Sequence, residues 1–597
     1  MKTIKAFLII FVFFSGASFA QENYPEWAKG IIWYQIFPER FANGDKTNDP
    51  AAEKVYLIGA PSDKWKIKEW NSNWFSQDEW EKARRGIFRD KLSDRRYGGD
   101  IQGIIDRLDY IKSLGVNAIY LNPVFDAPSL HKYDASTFHH IDINFGPDPK
   151  GDLEMIEQEN PGNPDTWKWT SADKLFLKLI SEIHNRGMKV IIDGVFNHVG
   201  IKFWAFRDLY EKGESSKYKD WFRVTSFDDP NTPQNEFDYK GWWGTKFLPE
   251  FNRDSVTLAD GPRNYIFAIT KRWMNPDNNA ATSDGIDGWR LDVANEVPLG
   301  FWREWNKLVK SVNPDAYITG ELWHFSPEYV GKGDVFDALM NYPYAAAIMK
   351  YFAAQKQKIT ASDFIDSLKA IDSVYPEKSV HILQNMLGSH DTERFSSMIS
   401  NPDREYDREA LEENPNFNPG KPEQKYYERQ KLIAAFHFTY KGAPLIYYGD
   451  EAGMWGGDDP HNRKPMIWKD IKYEDEIIDS STGFKKGWGS YKVEVNDDLL
   501  EFYKRAIALR NSCPVLKLGG LKFIYHDDDK DAFAFERIYD NVKIIAGFNI
   551  GPGPAEFKVD IPEGSGCTDL WSVKEVKFSE MRKVTIPSNS FIIYEIK

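Results

Sequence analysis

The chain has 597 residues, enough for two or three domains around a large core. It is acidic, with 76 Lys and Arg against 90 Asp and Glu and no basic cluster, which argues against a nucleic-acid partner. Its two cysteines, Cys513 and Cys567, are too few for a disulfide framework or a thiolate metal centre, and stand either as one bridge or as two buried thiols.

Residues 1–20 read as an export signal, with Lys2 and Lys5, an apolar run over 7–14, and Ser18-Phe19-Ala20 before the cut. The run is too short to span a membrane, and no cysteine follows it to carry a lipid. The expectation is a periplasmic or secreted protein without membrane insertion. Short apolar runs, rich in β-branched and aromatic residues, then recur at 31–37, 116–121, 189–195, 286–291, 317–322, 335–340, 381–387 and 444–448. They read as strands buried on both faces. Helix-period segments lie between most of them, at 101–114, 172–185, 265–273, 301–312 and 432–440. Strand–helix alternation implies parallel strands. Eight units predict a closed (β/α)8 barrel of the α/β class; a doubly wound open sheet would not need eight. Two long segments interrupt the pattern, 41–100 and 199–263, and both are rich in Trp. After a helix at 497–510, short strands at 531–550, 555–559, 573–578 and 584–596 predict an antiparallel sandwich. The expected division is a barrel over 24–198 and 262–512, an inserted subdomain over 199–261, and a C-terminal β-sandwich over 513–597.

In such a barrel the chemistry belongs at the C-terminal ends of the strands. Asp193, Asn197 and His198 follow the third strand; Arg290, Asp292 and Glu296 the fourth; Glu321 and His324 the fifth; His390 and Asp391 the seventh. A lone carboxylate there would be an ordinary loop residue, but four strands converging on one rim are hard to explain by packing. Arg290 lies two residues before Asp292, so both side chains share one side of the strand. The arginine is expected to lower the Asp292 pKa and keep it ionised. Two carboxyls, one nucleophilic and one protonated, suit cleavage of a glycosidic bond; Glu321 would have to keep its proton near neutral pH. Tryptophans in the loops offer flat apolar faces for sugar rings.

The motifs Asp193-Gly-Val-Phe-Asn197-His198, Gly288-Trp-Arg290-Leu-Asp292, Gly320-Glu321 and His390-Asp391 resemble, in that order, those of the alpha-amylase family of glycoside hydrolases. The resemblance covers nearly the whole chain after residue 20. It implies Asp292 as nucleophile, Glu321 as acid/base, and Asp391 as a ligand of sugar hydroxyls at the reacting unit. It also implies that His198 and His390 hydrogen-bond that sugar, that Tyr133 stacks on it, and that Arg290 orients Asp292. Asp193 and Asn197 would support the rim. Trp33-Tyr-Gln-Ile-Phe-Pro-Glu-Arg, Ala127-Pro-Ser-Leu-His-Lys-Tyr-Asp and Gly457-Asp-Asp-Pro with Arg463-Lys-Pro-Met resemble the neopullulanase and cyclomaltodextrinase subgroup, as does Glu296, which there shapes the subsite beside the scissile bond. Leu248-Pro-Glu-Phe-Asn252 departs from the subgroup's pattern. The implied activity is retaining hydrolysis of α-1,4 bonds, with some α-1,6, in cyclodextrins, pullulan, maltooligosaccharides or starch. The alternatives are an endo-acting alpha-amylase and a glucan-binding barrel without activity; all three carboxylates being present disfavours the second. Many relatives carry an N-terminal β domain that builds a dimer. So few residues precede the first strand here that such a dimer is not expected, and the sequence sets no oligomeric state.

Asn43-Gly-Asp45-Lys-Thr-Asn48-Asp49 gathers hard oxygen ligands in a tight loop, as Ca²⁺ prefers, although Asn-Gly-Asp is also an ordinary turn. By the resemblance, Gly98 and Asp100 complete a structural calcium site.

Overall fold

The structure is a computed structural model that describes residues 24–55, 63–279, 284–402, 406, 416–561, 566–576 and 582–596; the export-signal residues 1–20 lie outside them. Its centre is a ring of eight parallel strands: β1 (Trp33–Ile36), β2 (Ala118–Leu121), β3 (Lys189–Gly194), β4 (Gly288–Leu291), β5 (Tyr317–Gly320), β6 (Ala338–Leu339), β7 (Gln384–Met386) and β8 (Ala443–Tyr447). Neighbours pair in the order β6-β5-β4-β3-β2-β1-β8-β7, and a parallel bridge from Met340 to Gln384 closes the ring. Each apolar run of the sequence supplies one strand of two to six residues; β8 starts one residue before its run, at Ala443, and the others are trimmed at their flanks. Apart from Lys189 at the start of β3, every strand residue is buried, because helices cover the outside and side chains fill the inside.

The helical layer follows from local signals. Ile101–Leu114 begins where the Asp100 carboxylate accepts the Gly103 N–H at 2.6 Å and ends at Gly115, whose φ of +89° few other residues adopt. Ser171–Asn185 starts on a capping box between Thr170 and Asp173. Leu299–Val312 buries Trp302 and Trp305 against Trp289 of β4 and Phe196, with ring centroids 5.8–6.3 Å apart. This aromatic layer fixes the strand that carries Arg290. Truncating one of these indoles would cost about 3–5 kcal/mol.

After β3 the inserted segment forms the helix Trp204–Lys212 and a small hairpin, Val224–Ser226 with Asp238–Tyr239. Phe203, Phe222, Phe251 and Tyr265 pack it onto the barrel. The C-terminal region is a six-stranded antiparallel sheet faced by a two-stranded one, Ala555–Lys558 with Lys583–Ile586. Ala534, Ile545 and Ile592 of the large sheet meet Phe557, Val584 and Ile586 of the small one. Its first strand, Gly520–Asp527, was not anticipated; its residues are half-buried or exposed and give only a weak apolar signal. Cys513 and Cys567 are both free thiols. Among the described residues no helix is long and apolar enough to cross a membrane.

Candidate active site

The C-terminal rim is organised around one buried cation. Arg290, with no solvent exposure, donates from Nη1 to both oxygens of Asp193 and to Asp292 Oδ1, each at 2.9 Å. Its Nη2 lies 2.9 Å from Glu321 Oε2, an ion pair without the alignment of a hydrogen bond. The guanidinium thus touches carboxylates from β3, the end of β4 and the end of β5. Asp193 is fixed further by the Tyr120 and Tyr133 hydroxyls, at 2.7 and 2.9 Å.

Val293, the residue after Asp292, has φ +37° and ψ +49°. For a β-branched residue this is a strained conformation, worth about 1–3 kcal/mol. It aims the Val293 N–H at Glu321 Oε2, 2.9 Å away. Trp323 Nε1 donates to the other Glu321 oxygen at 3.1 Å, and the Trp323 ring stacks on Tyr342 at 3.9 Å. The Tyr342 hydroxyl is buried without a partner.

His390 Nδ1 accepts from the Gln35 amide at 2.9 Å, so its Nε2 carries the hydrogen and faces the Tyr133 hydroxyl and, at 3.2 Å, Asp391 Oδ1. Asn462 and Arg463 hold the His390 carbonyl, at 2.7 and 2.8 Å, and Arg463 Nη2 lies 3.4 Å from Asp391. His198 Nδ1 accepts from the Asn197 amide at 3.1 Å, which leaves its buried Nε2–H without a partner in the rim. Burial, joined at His390 by Arg463 and at His198 by Arg253, keeps both imidazoles neutral; His198 is pushed down to about 3.

The expectation that Arg290 lowers the Asp292 pKa does not hold. Burial first and the Glu321 charge second push that carboxyl well above its usual range, and Arg290 opposes them without prevailing. The reason is division: one guanidinium serves three carboxylates. Burial and Glu321 likewise push Asp391 up to about 8. Among the residues named from sequence, Asp292, Glu321, Asp391, Arg290, His390 and Tyr133 form one connected cluster. His198 sits on the same rim through Asn197. Glu296 is half-buried on the turn Ala294–Glu296 that follows the nucleophile position.

The chain is similar to known proteins over most of its length. A profile of the alpha-amylase catalytic domain matches residues 35–159 and 170–519. The chain belongs to the alpha-amylase family. Neopullulanase 2 of Thermoactinomyces vulgaris is 35% identical over 546 residues, which is 92% of this chain and 74% of that protein. A cyclomaltodextrinase of Geobacillus thermopakistaniensis is 32% identical over 96% of this chain and 78% of its own. The solved structure of a cyclic α-maltosyl-(1→6)-maltose hydrolase from Arthrobacter globiformis, at 27% identity, covers 96% of this chain and all of its own at a TM-score of 0.68.

Several residues of the site are not evident from the sequence. Glu250, in the divergent Leu248–Asn252 motif, takes Arg223 at 2.7 Å and Arg253 at 3.1 Å, and Arg253 in turn donates to Asn197 Oδ1. The inserted subdomain is thereby tied to the residue that orients His198. Trp242 stacks on His198 at 4.8 Å, and Trp243, 83% exposed, stacks on Trp242 at 4.9 Å. The double tryptophan was visible in the sequence; its stacking on a histidine 44 positions earlier was not.

Of the six residues expected around calcium, Asn43 is hydrogen-bonded to Asp49, and Asp45 and Asn48 to Asp100. Asn43 Oδ1 and Asn48 Oδ1 are buried acceptors without a partner among the described residues. Asp49 lies beside them, 2.8 Å from Asn43 Nδ2, and burial pushes its carboxyl up to about 6. Gly98 has φ +76°, and a Cβ there would stand 2.1 Å from Asp49 Oδ1, so only glycine allows this approach. Orphaned amide oxygens beside a half-buried carboxyl are a donor set that fits a hard cation. Asp45 and Asp100 are occupied differently: Asp45 Oδ1 accepts from Thr47, and Asp100 accepts from Gly44, Asp45, Asn48 and Gly103. They hold the loop's shape more than they offer free oxygens.

Proposed function

We propose that this chain hydrolyses α-1,4-glucosidic bonds, and some α-1,6 bonds, in cyclodextrins, pullulan and maltooligosaccharides, with retention of configuration. The observation that carries the reading is the sharing of one guanidinium by Asp292 and Glu321, both at 2.9 Å. It supports a pairing of two carboxyls from different strands; a retaining site needs them about 5–5.5 Å apart, whereas inverting enzymes separate theirs by about 6.5–9.5 Å to admit water. The names of the neopullulanase and cyclomaltodextrinase relatives support the substrate class.

In this reading Asp292 attacks the anomeric carbon while Glu321 protonates the departing oxygen; Glu321 then takes a proton from the water that releases the glycosyl unit. Burial and the Glu321 charge disfavour an ionised Asp292. Positive charge developing at the anomeric carbon in the transition state stabilises the Asp292 carboxylate as it attacks. The unpartnered His198 Nε2–H, the His390 Nε2–H and Asp391 meet hydroxyls of the reacting sugar, and Tyr133 lies against its ring. Asn43, Asn48, Asp49 and the Gly98 carbonyl would hold Ca²⁺, which stabilises the β1 loop and takes no part in the reaction. Export rests on the sequence of residues 1–20, and a mature N-terminus at Gln21 would verify it. Incubation with β-cyclodextrin, pullulan and starch, with products identified over time and the first anomer followed by NMR, tests the whole reading. Maltose from cyclodextrin, panose from pullulan and an α anomer first are expected. Rapid internal cleavage of starch with pullulan untouched would replace it with an endo-acting alpha-amylase.

A further inference from the structure

Away from the rim, two imidazoles converge on a single carboxylate oxygen. His140 Nε2 is 2.9 Å and His139 Nε2 3.6 Å from Glu159 Oε2, and the three candidate ligand atoms lie within 4.8 Å of one another. All three side chains are at most 1% exposed. The far nitrogens are fixed from behind. His140 Nδ1 pairs with Asp173 Oδ2 at 2.8 Å; His139 Nδ1 meets the Thr137 and Tyr265 hydroxyls at 2.6 and 2.7 Å. Trp167 lies flat on the His139 ring at 4.3 Å.

A simple ion pair explains only part of this. His140 bridging Glu159 and Asp173 is complete by itself, yet His139 Nε2 points at the same oxygen from beyond hydrogen-bond length. A tetrahedral zinc, about 2.0–2.2 Å from nitrogen and oxygen ligands, sets those ligand atoms about 3.4 Å apart. The two observed separations bracket that value. An imidazole whose other nitrogen is held by a carboxylate is also the usual second layer of a zinc site.

From this geometry we infer that His139, His140 and Glu159 form a structural zinc site, with a water as fourth ligand. Two imidazoles and a carboxylate select zinc or a neighbouring transition ion over calcium or magnesium, which prefer oxygen alone. The site lies at the break between the two stretches that match the family, 160–169, between Glu159 and Asp173. Zinc there would pin residues 160–169, with Trp167, to the start of the helix Ser171–Asn185.

The test uses the full chain, stripped by a chelator and then saturated with calcium so that the Asn43–Asp49 loop does not compete. Zinc chloride is titrated against a chromophoric chelator, and bound metal is counted by elemental analysis. One zinc per chain and a higher melting temperature are expected. His139→Phe, which keeps a ring under Trp167, and Glu159→Gln should each lower zinc affinity at least about a hundredfold. If His139→Phe does not fold, Glu159→Gln alone decides. No zinc on the native chain, or equal zinc on native and variants, overturns the site and leaves an ion-paired cluster.

Discussion

Asp391→Asn should stabilise the protein while disabling it. The Asp391 carboxyl is pushed up to about 8 in the fold, against an ordinary value of 3.8. Between those values the folded chain keeps a proton that the unfolded chain releases, so stability falls as pH rises through this window. At pH 7 the offset from 3.8 is about three units at 1.36 kcal/mol each, or about 4 kcal/mol. Solvent reaches 26% of the side chain, which trims the cost toward about 2–4 kcal/mol. An amide of the same shape carries no such cost. With unfolding entropy of about 2.1 cal/mol/K per residue, the variant should melt roughly 2–3 °C higher at pH 7, with the gap closing by pH 4. Differential scanning calorimetry of native and variant protein from pH 4 to 8, in calcium, measures this directly. A variant that melts lower at pH 7, or a gap that does not change with pH, would refute the claim that burial and Glu321 hold the proton on Asp391.

Asp292→Asn should leave the circular dichroism spectrum intact and lower kcat on cyclodextrin by about a thousandfold or more, about 4 kcal/mol of barrier. Removing calcium with a chelator should lower the melting temperature by the linkage expected for a folded-state ligand, about 2.7 kcal/mol at a hundredfold excess over Kd. Gly98→Ala, whose Cβ would stand 2.1 Å from Asp49 Oδ1, should destabilise the chain and abolish its response to added calcium in the same melt. Trp242→Ala, which takes the indole off His198, should raise KM for maltooligosaccharides more than it lowers kcat in steady-state assays.

The barrel was legible because strands covered on both faces must be short, apolar and β-branched or aromatic, and eight such runs stand in order. Even β6, two residues long, showed through the apolar run 335–340. The rim was legible because barrel topology converts order in the chain into convergence in space, bringing Asp292, Glu321 and Asp391 together from three strands. What stayed hidden depends on distances between segments. The raised pKa of Asp292 comes from burial and from Glu321, 29 positions away, and a sequence shows only the arginine two positions before it. The Glu250–Arg253–Asn197 relay and the stacking of Trp242 on His198 needed the path of the inserted segment. His139 and His140 adjoin in the sequence but were not singled out, and Glu159 stands 19 positions beyond His140, across the helix Pro149–Ile156.

The ring has one thin joint. Where β6 meets β7, Asn341 N–H to Gln384 O, at 2.9 Å, makes the main-chain link, and the Asn341 side chain adds a bond to Asn385 Oδ1 at 2.8 Å, doing the job of a missing rung. Met340, next door, rests its sulfur 3.4 Å from Arg290 Nε. The seam is thus one contact away from the guanidinium that Asp292 and Glu321 share, and the Asn341 amide stands in the wall that carries all three.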